Sequence, residues 1–287
     1  MTKRRILGFL VVILCLSAFL VGCGSSKGTS DKSSGGGSSS TGGNKSSNTI
    51  LVGADTTFPP FESEKNGTVT GFDIEMIKAI AKKEGLKVEQ IKTMPFDGII
   101  PALQGDQVDV AVAGITIKTS RMETVDFSNA YYKSGLSILV KKDSGINSLD
   151  DLKGKLVATK KATSSVDFLK SHGFKDANIK QYDDINTAYQ TLESGGADAV
   201  VFDNPVNINF MNSHDDVHIV GGLLTGEYYG IAVTKDKPEL LKKINDGLKA
   251  IQDDGTYAKL FDKYLGGDKN GLVNDVKAPK DVALDDE

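Results

Sequence analysis

Four polar positions in this sequence each follow a short apolar segment that predicts a β-strand. They offer carboxylates, an ammonium group and a hydroxyl, which would hold a polar solute by hydrogen bonds and charge. An Asp or Thr after a strand is usually only a turn or cap residue, but equivalent placement after several strands favours a common site. These positions are Asp55 (after 50–54), Gly114 to Thr116 (after 108–113), Lys160 (after 155–159) and Asp203 (after 198–202).

The elements that must position these residues alternate along the chain. Helical spacing of apolar residues predicts helices over 71–85, 99–103, 164–172 and 185–194, with a last helix beginning at Pro238. We expect Ser164 or Ser165 to cap its helix, and Asn66-Gly67 to form a hairpin turn. Alternation of this kind indicates parallel sheets covered by helices. In open α/β sheets, ligands bind beyond the carboxyl ends of the strands.

The N-terminus predicts export and a lipid anchor. A basic cluster (3–5) and an apolar run (6–21) are typical of a secretory signal over residues 1–22. Cys23 follows directly, as in a bacterial lipobox, so we expect a diacylglycerol on its thiol and cleavage before it. The segment 23–49 is rich in Gly and Ser and predicts a flexible tether. Such a tether suits the outer face of the membrane of a Gram-positive cell.

Composition excludes several classes of function. The formal net charge is −4, and removing the three basic signal residues makes it −7, which argues against nucleic acid as a partner. The two cysteines, Cys15 and Cys23, are accounted for by the signal and the anchor, so no disulfide is expected. No second run of 18 apolar residues follows the signal. We expect 267–287 to be a frayed acidic tail.

Several stretches resemble bacterial extracellular solute-binding proteins of family 3, and the resemblance extends over residues 50 to 266. Within that family the chain is most similar to glutamine-binding proteins, through Lys160 and the segment 126–135, DFSNAYYKSG. The motifs that carry the family resemblance are ADTTFPPF (54–61), GFDIE (71–75), FDGIIPAL (96–103), AGITIKTSR (113–121) and GADAV (196–200).

The resemblance implies an α/β clamshell of the periplasmic-binding-protein type II. Lobe one would comprise 50–130 plus 230–266, and lobe two 136–226. Two crossing strands, at 131–135 and 227–229, would join the lobes, which would close on the ligand. The implied function is capture of a free polar amino acid, glutamine by preference, for the permease and ATPase of an ABC importer. We expect a monomer that needs no cofactor.

The chemistry of an α-amino acid matches the residues that the resemblance assigns to the site. Arg121 would grip the carboxylate through two parallel hydrogen bonds, while Asp203 would accept from the ammonium. Asp55 and Lys160 would accept from and donate to a side-chain amide, and so reject charged side chains by repulsion. The remaining candidates are Phe58 and Phe96, which would sandwich the aliphatic chain, and Gly114, Thr116, Thr163 and Ser164, which would supply polar groups.

Two departures from the glutamine-type pattern leave the particular amino acid open. Phe202 stands where well-known glutamine binders have a histidine, and the loop 160–164 lacks the two glycines usual there. Another amino acid such as arginine is therefore the alternative ligand.

Other classes of function make different demands on the same residues. A clamshell dehydratase acting on a cyclic amino-acid precursor would need an acid or base near the leaving group, and no nucleophile–base set is present in the sequence. A sensor domain would carry a further membrane segment. His214 and His218 have helical ligand spacing but lie in a polar connection, so we expect no metal site. The sequence thus predicts a binding protein rather than an enzyme.

Overall fold

The computed structural model describes residues 48–266 and 269–285. The predicted signal, Cys23 and nearly all of the tether lie outside these residues, so what the sequence indicates about them stays a prediction. Within the described ranges, no helix is long and apolar enough to cross a membrane.

The strands are short, and most of the buried ones are rich in Val, Ile and Ala, as expected of strands covered on both faces. In chain order they are β1 (Thr49–Ala54), β2 (Thr57–Phe58), β3 (Glu62–Lys65), β4 (Thr68–Thr70), β5 (Lys87–Thr93), β6 (Val110–Ala111), β7 (Asp126–Phe127), β8 (Tyr132–Ser134), β9 (Leu136–Lys141), β10 (Val157–Lys160), β11 (Ile179–Tyr182), β12 (Ala199–Asp203), β13 (Val217–Val220), β14 (Glu227–Tyr229) and β15 (Ala232–Val233).

The helices pack on the sheets through apolar faces. The predicted helix at Pro238 begins there, and its Ile244, Leu248 and Ile251 are buried. The helices are α1 (Phe72–Lys83), α2 (Ile99–Gln104), α3 (Thr119–Met122), α4 (Ser164–Ser171), α5 (Ile185–Glu193), α6 (Asn204–Met211), α7 (Pro238–Asp253), α8 (Thr256–Leu265) and α9 (Pro279–Val282).

Two five-stranded sheets organise the structure. The first has the order β5-β1-β6-β15-β7, with β1 parallel to both β5 and β6. The second has the order β11-β10-β12-β9-β13, with β10 parallel to both β11 and β12. We call the parts built on them lobe one and lobe two. Their exact limits along the chain stay predictions.

The lobes are joined by an antiparallel pair of strands, β8 and β14, which aligns Glu227 with Ser134 and Tyr229 with Tyr132. The rings of Tyr132 and Tyr229 stack with their centroids 5.4 Å apart, and both residues are buried. The connection between the lobes is therefore packed through these two buried tyrosines.

A third, small sheet carries a side chain to the site. Strands β3 and β4 form the predicted hairpin, in which Asn66 and Gly67 both have positive φ, as a type I′ turn requires. Strand β2 pairs with β3 and contains Phe58. The hairpin prediction is thus confirmed.

The expectation of a frayed tail is wrong for residues 269–285, which we call the C-terminal strap. Leu284 donates its N–H to the carbonyl of Ile117 (2.9 Å) and accepts from the N–H of Thr119 (3.0 Å). Apart from the short helix α9, the strap is held by isolated contacts with distant parts of the chain, which sequence periodicity does not encode. Its other contacts include Leu272 with Tyr132 and Lys277 with Ala130.

Candidate ligand-binding site

A small cavity lies where the carboxyl ends of the central strands of both sheets meet. Its lining comes from both lobes, so a molecule held there would contact each. All of the predicted ligand-binding residues except Asp55 line it. The lining residues are Phe58, Phe96, Ala113, Gly114, Thr116, Arg121, Lys160, Thr163, Ser164, Phe202 and Asp203.

The lobe-one wall depends on a close approach of Phe58 to the backbone at Gly114. Gly114 has φ of +52°, and a Cβ there would lie 2.2 Å from Cε1 of Phe58. Its N–H donates to the buried carboxylate of Asp73 over 3.1 Å, which also accepts from the hydroxyl of Tyr131 over 2.5 Å. Only glycine fits this position, and the contact fixes the ring against the cavity wall.

The two residues predicted to select the ligand side chain are paired with each other. Lys160 ends β10 in lobe two, and its ammonium donates to a carboxylate oxygen of Asp55 in lobe one. The side chains are 1% and 3% exposed, respectively. Lys160 also donates to the hydroxyl of Thr57 (3.0 Å), which in turn donates to Asp55 (2.7 Å). The pair is therefore a buried ion pair between the lobes, and Asp55 does not itself line the cavity.

Arg121 lies in the short helix α3 and reaches across the cavity. Its Nη1 donates to the carbonyl of Thr116 (2.8 Å) in lobe one, and its Nη2 to the carbonyl of Ala162 (3.0 Å) in lobe two. The guanidinium lies over the ring of Phe96, 5.3 Å from its centroid. The arginine is thus oriented by backbone groups and an aromatic face.

Asp203, the last residue of β12, supplies the acidic group of the cavity. The hydroxyl of Tyr229, on a crossing strand, donates to its carboxylate. Burial raises the pKa of Asp203 to about 7, and the negative charge of Glu227 also raises it, while Tyr229, Arg121 and Lys160 lower it. A cation placed next to Asp203 would favour the charged carboxylate.

The N-terminus of α4 borders the cavity. The structure places Thr163 at the cap position without a side-chain cap bond, so the prediction that Ser164 or Ser165 caps the helix is wrong. The hydroxyl of Thr163 donates instead to the carbonyl of Lys160 (2.6 Å), and that of Ser164 donates to Glu227 (2.9 Å). These hydroxyls satisfy groups of the loop and the crossing strand.

Sequence reasoning left three residues of this region out of the ligand-binding set, although it singled out Phe202 as a departure that borders the pocket. Phe202 lines the cavity and packs edge-to-face on Phe58, with centroids 5.8 Å apart. Ala113 also lines it. Glu227 is 1% exposed and accepts from two cavity-lining hydroxyls. The place of Phe202 directly before Asp203 was a usable signal, whereas nothing local marks Glu227.

Of the two histidines considered as metal ligands, His214 has other contacts. The ring of His214 stacks on Phe210, with centroids 3.8 Å apart, and its Nε2 lies 3.6 Å from a carboxylate oxygen of Glu193. Across 48–266 and 269–285, no group of three or more His, Cys, Asp or Glu side chains could hold a metal ion. The absence of a metal site from the protein stays a prediction.

Comparison with known proteins gives concordant matches. A family model described as bacterial extracellular solute-binding proteins, family 3, matches residues 50–267 and so ends before the C-terminal strap. The arginine-binding extracellular protein ArtP of Bacillus subtilis is 33% identical over 91% of this chain and 98% of its own length. The glutamine-binding protein GlnH of the same organism is 32% identical, over 92% and 98%.

Solved structures agree with this. An ancestral arginine-binding protein, solved with arginine, is 48% identical, covers 76% of this chain and 98% of its own, and has a TM-score of 0.71. The same description with glutamine bound gives 46% identity, the same coverage and a TM-score of 0.71. An ancestral amino-acid-binding protein described as a precursor of cyclohexadienyl dehydratase is 40% identical, with a TM-score of 0.70 and coverage of 76% and 96%. The predicted α/β clamshell is confirmed.

Proposed function

This chain belongs to the bacterial extracellular solute-binding proteins, family 3, and we propose that it binds a free polar amino acid, glutamine by preference, for an ABC importer. The observation that carries the proposal is the presence of Arg121 and Asp203 on the walls of one small cavity between two lobes. A planar cation and a buried carboxylate are the complements of the carboxylate and ammonium that every α-amino acid carries.

The side-chain end of the cavity favours a neutral ligand. The buried pair of Lys160 and Asp55 has no net charge. Lys160 lines the cavity and could donate to a side-chain amide, whereas Asp55 would have to exchange one of its contacts with Thr57 or Lys160 to accept from it. A cationic side chain would have to approach Lys160, and an anionic one Asp55. Rejection of both charges by one pair is the reason for preferring glutamine.

Arginine is the second candidate ligand. Asp55 could accept from a guanidinium if Lys160 left the pair, and the cavity offers the aromatic faces of Phe58 and Phe96. The relatives include proteins described as arginine-binding as well as glutamine-binding. In this proposal, whether Lys160 keeps or leaves its pair with Asp55 therefore decides between the two ligands.

We infer a binding role rather than catalysis, and a lipid-anchored location on the outer face of the membrane. The family description is extracellular, and the lipobox at Cys23 would supply the anchor. A dehydratase is the alternative that the cavity permits, because Asp203, with a pKa of about 7, could serve as a general acid. Turnover of a cyclic amino-acid precursor, assayed beside binding, separates these roles.

Titration calorimetry of the chain without its signal, against the twenty common amino acids, tests the proposal. We expect glutamine to bind most tightly, and at a concentration of 100 times its Kd it should stabilise the fold by about 2.7 kcal/mol. A tighter ligand of the same class would correct the glutamine assignment. Binding of none of the twenty would refute the proposed function.

A further inference from the structure

Glu227 is a buried carboxylate that joins three parts of the structure. One of its oxygens, Oε2, accepts from the hydroxyls of Thr116 (2.8 Å) and Ser164 (2.9 Å). The other, Oε1, accepts from the hydroxyl of Thr225 (2.9 Å). Three hydroxyl donors on one carboxyl group, which is 1% exposed, satisfy it as an acceptor-only carboxylate.

The two donors to Oε2 belong to different lobes. Thr116 follows β6 in lobe one, Ser164 begins α4 in lobe two, and Glu227 lies on the crossing strand β14 between them. Both hydroxyls can meet a single oxygen atom only when the lobes are together. Any opening that carries α4 away from Thr116 must break at least one of these hydrogen bonds.

The hydrogen bonds of Glu227 also extend to Arg121, the residue that would hold the ligand carboxylate. Thr116 gives its hydroxyl to Glu227 and accepts through its carbonyl from Arg121 over 2.8 Å. A contact chain therefore runs from the crossing strand through Thr116 to the guanidinium. We propose that Glu227 is a positioning residue that stabilises the closed cleft and orients Thr116 and Arg121 for the ligand, a role that rests on the proposed function.

The negative charge of Glu227 also affects Asp203, the acidic residue on the lobe-two side of the cavity. Asp203 faces Glu227, the hydroxyl of Tyr229, and the cations Arg121 and Lys160. Because Glu227 is second to burial among the causes that raise the pKa of Asp203, removal of its charge alone should lower that pKa.

Two substitutions separate the effect of the Glu227 hydrogen bonds from the effect of its negative charge. Glu227→Ala removes both, and we expect it to weaken glutamine and arginine binding about tenfold to a hundredfold, as for hydrogen bonds to a charged group. Glu227→Gln keeps the shape and can still bond both hydroxyls, so it should weaken binding less. Because it removes the negative charge beside Asp203, Glu227→Gln should also lower the pH at which amino-acid affinity begins to fall. Glu89→Gln, the same change at an exposed position of β5, should alter neither the affinity nor its pH dependence.

A double-mutant cycle tests whether Glu227 acts through Ser164. If it does, Glu227→Ala with Ser164→Ala should bind about as weakly as Glu227→Ala alone. Small-angle scattering of the ligand-free chain should show a larger radius of gyration for Glu227→Ala than for wild type. This second measurement does not need a ligand.

The outcomes keep this proposal and the proposed function apart. If wild type binds an amino acid and both Glu227 variants bind it with unchanged affinity and pH profile, the positioning role is refuted and the function stands. If wild type binds no amino acid, the proposed function fails. The scattering comparison then decides on Glu227 by itself, because an unchanged radius of gyration would show that it does not hold the cleft.

Discussion

Replacement of Lys160 by methionine would remove the charge of the buried bridge between the lobes while keeping a chain of similar length. Removing one partner of a buried ion pair generally costs about 3–5 kcal/mol, because the other charge stays buried. Here Asp55 belongs to the opposite lobe, so an open cleft exposes it to water. We therefore expect the substitution to oppose closure more than folding.

The effect on binding should depend on the ligand. Glutamine would lose a hydrogen bond from a charged donor, about 1.5–3 kcal/mol, which corresponds to roughly a 10- to 150-fold increase in Kd. Arginine would lose no such bond and would be freed from repulsion by Lys160. Asp55, left without its partner, would attract the guanidinium, so arginine should gain affinity relative to glutamine.

Calorimetry on wild type, Lys160→Met and Lys160→Met with Asp55→Asn, each with both ligands, would measure this. Lys155→Met, which removes an exposed lysine close to β10, is the matched control and should bind as wild type does. The gain for arginine should vanish when Asp55 is neutralised as well. Equal weakening of both ligands by Lys160→Met, or no change in either, would refute the assignment of Lys160 as the selector.

Four further results are expected. Because the neutral form of Asp203 cannot pair with an ammonium, affinity should fall as pH drops below about 7, by up to about tenfold per unit; a flat calorimetric profile from about pH 8 to about pH 5.5 would contradict this. Gly114→Ala should lower both affinity and the melting temperature, since its Cβ would lie 2.2 Å from Phe58; an unchanged thermal-shift titration would count against this close approach of ring and backbone. Arg121→Ala should weaken all amino-acid ligands alike by about 2–5 kcal/mol, whereas selective loss of one would reassign the residue. Cys23→Ser should abolish lipid attachment, and a variant that still fractionates with membranes as the mature form would disprove the lipobox.

The sequence predicts those residues of the site whose positions follow from local strand patterns. The residues at the carboxyl ends of β1, β10 and β12 were predictable, because strand periodicity locates those ends and the topology brings them together. Small shifts of boundary did not matter: Lys160 and Asp203 turn out to be the last residues of their strands rather than the first beyond them.

What escaped prediction is held by long-range contacts. Glu227 meets Thr116 across 111 residues of chain and Ser164 across 63, and no local pattern encodes such a meeting. The ion pair of Lys160 with Asp55 joins residues predicted separately, but their direct contact across the cleft was not foreseen. The same holds for the C-terminal strap, whose backbone bonds to Ile117 and Thr119 carry no periodic signature.

The strap also has a practical consequence for anyone who labels this protein. Leu284 lies beside Thr119, the first residue of the helix that carries Arg121. A purification tag or a fluorescent protein joined after the strap would therefore lie close to α3, the short helix that bears this arginine. A dye placed there would report any movement of α3 on ligand binding, which makes the end of the strap a useful attachment point for an optical sensor of the bound solute.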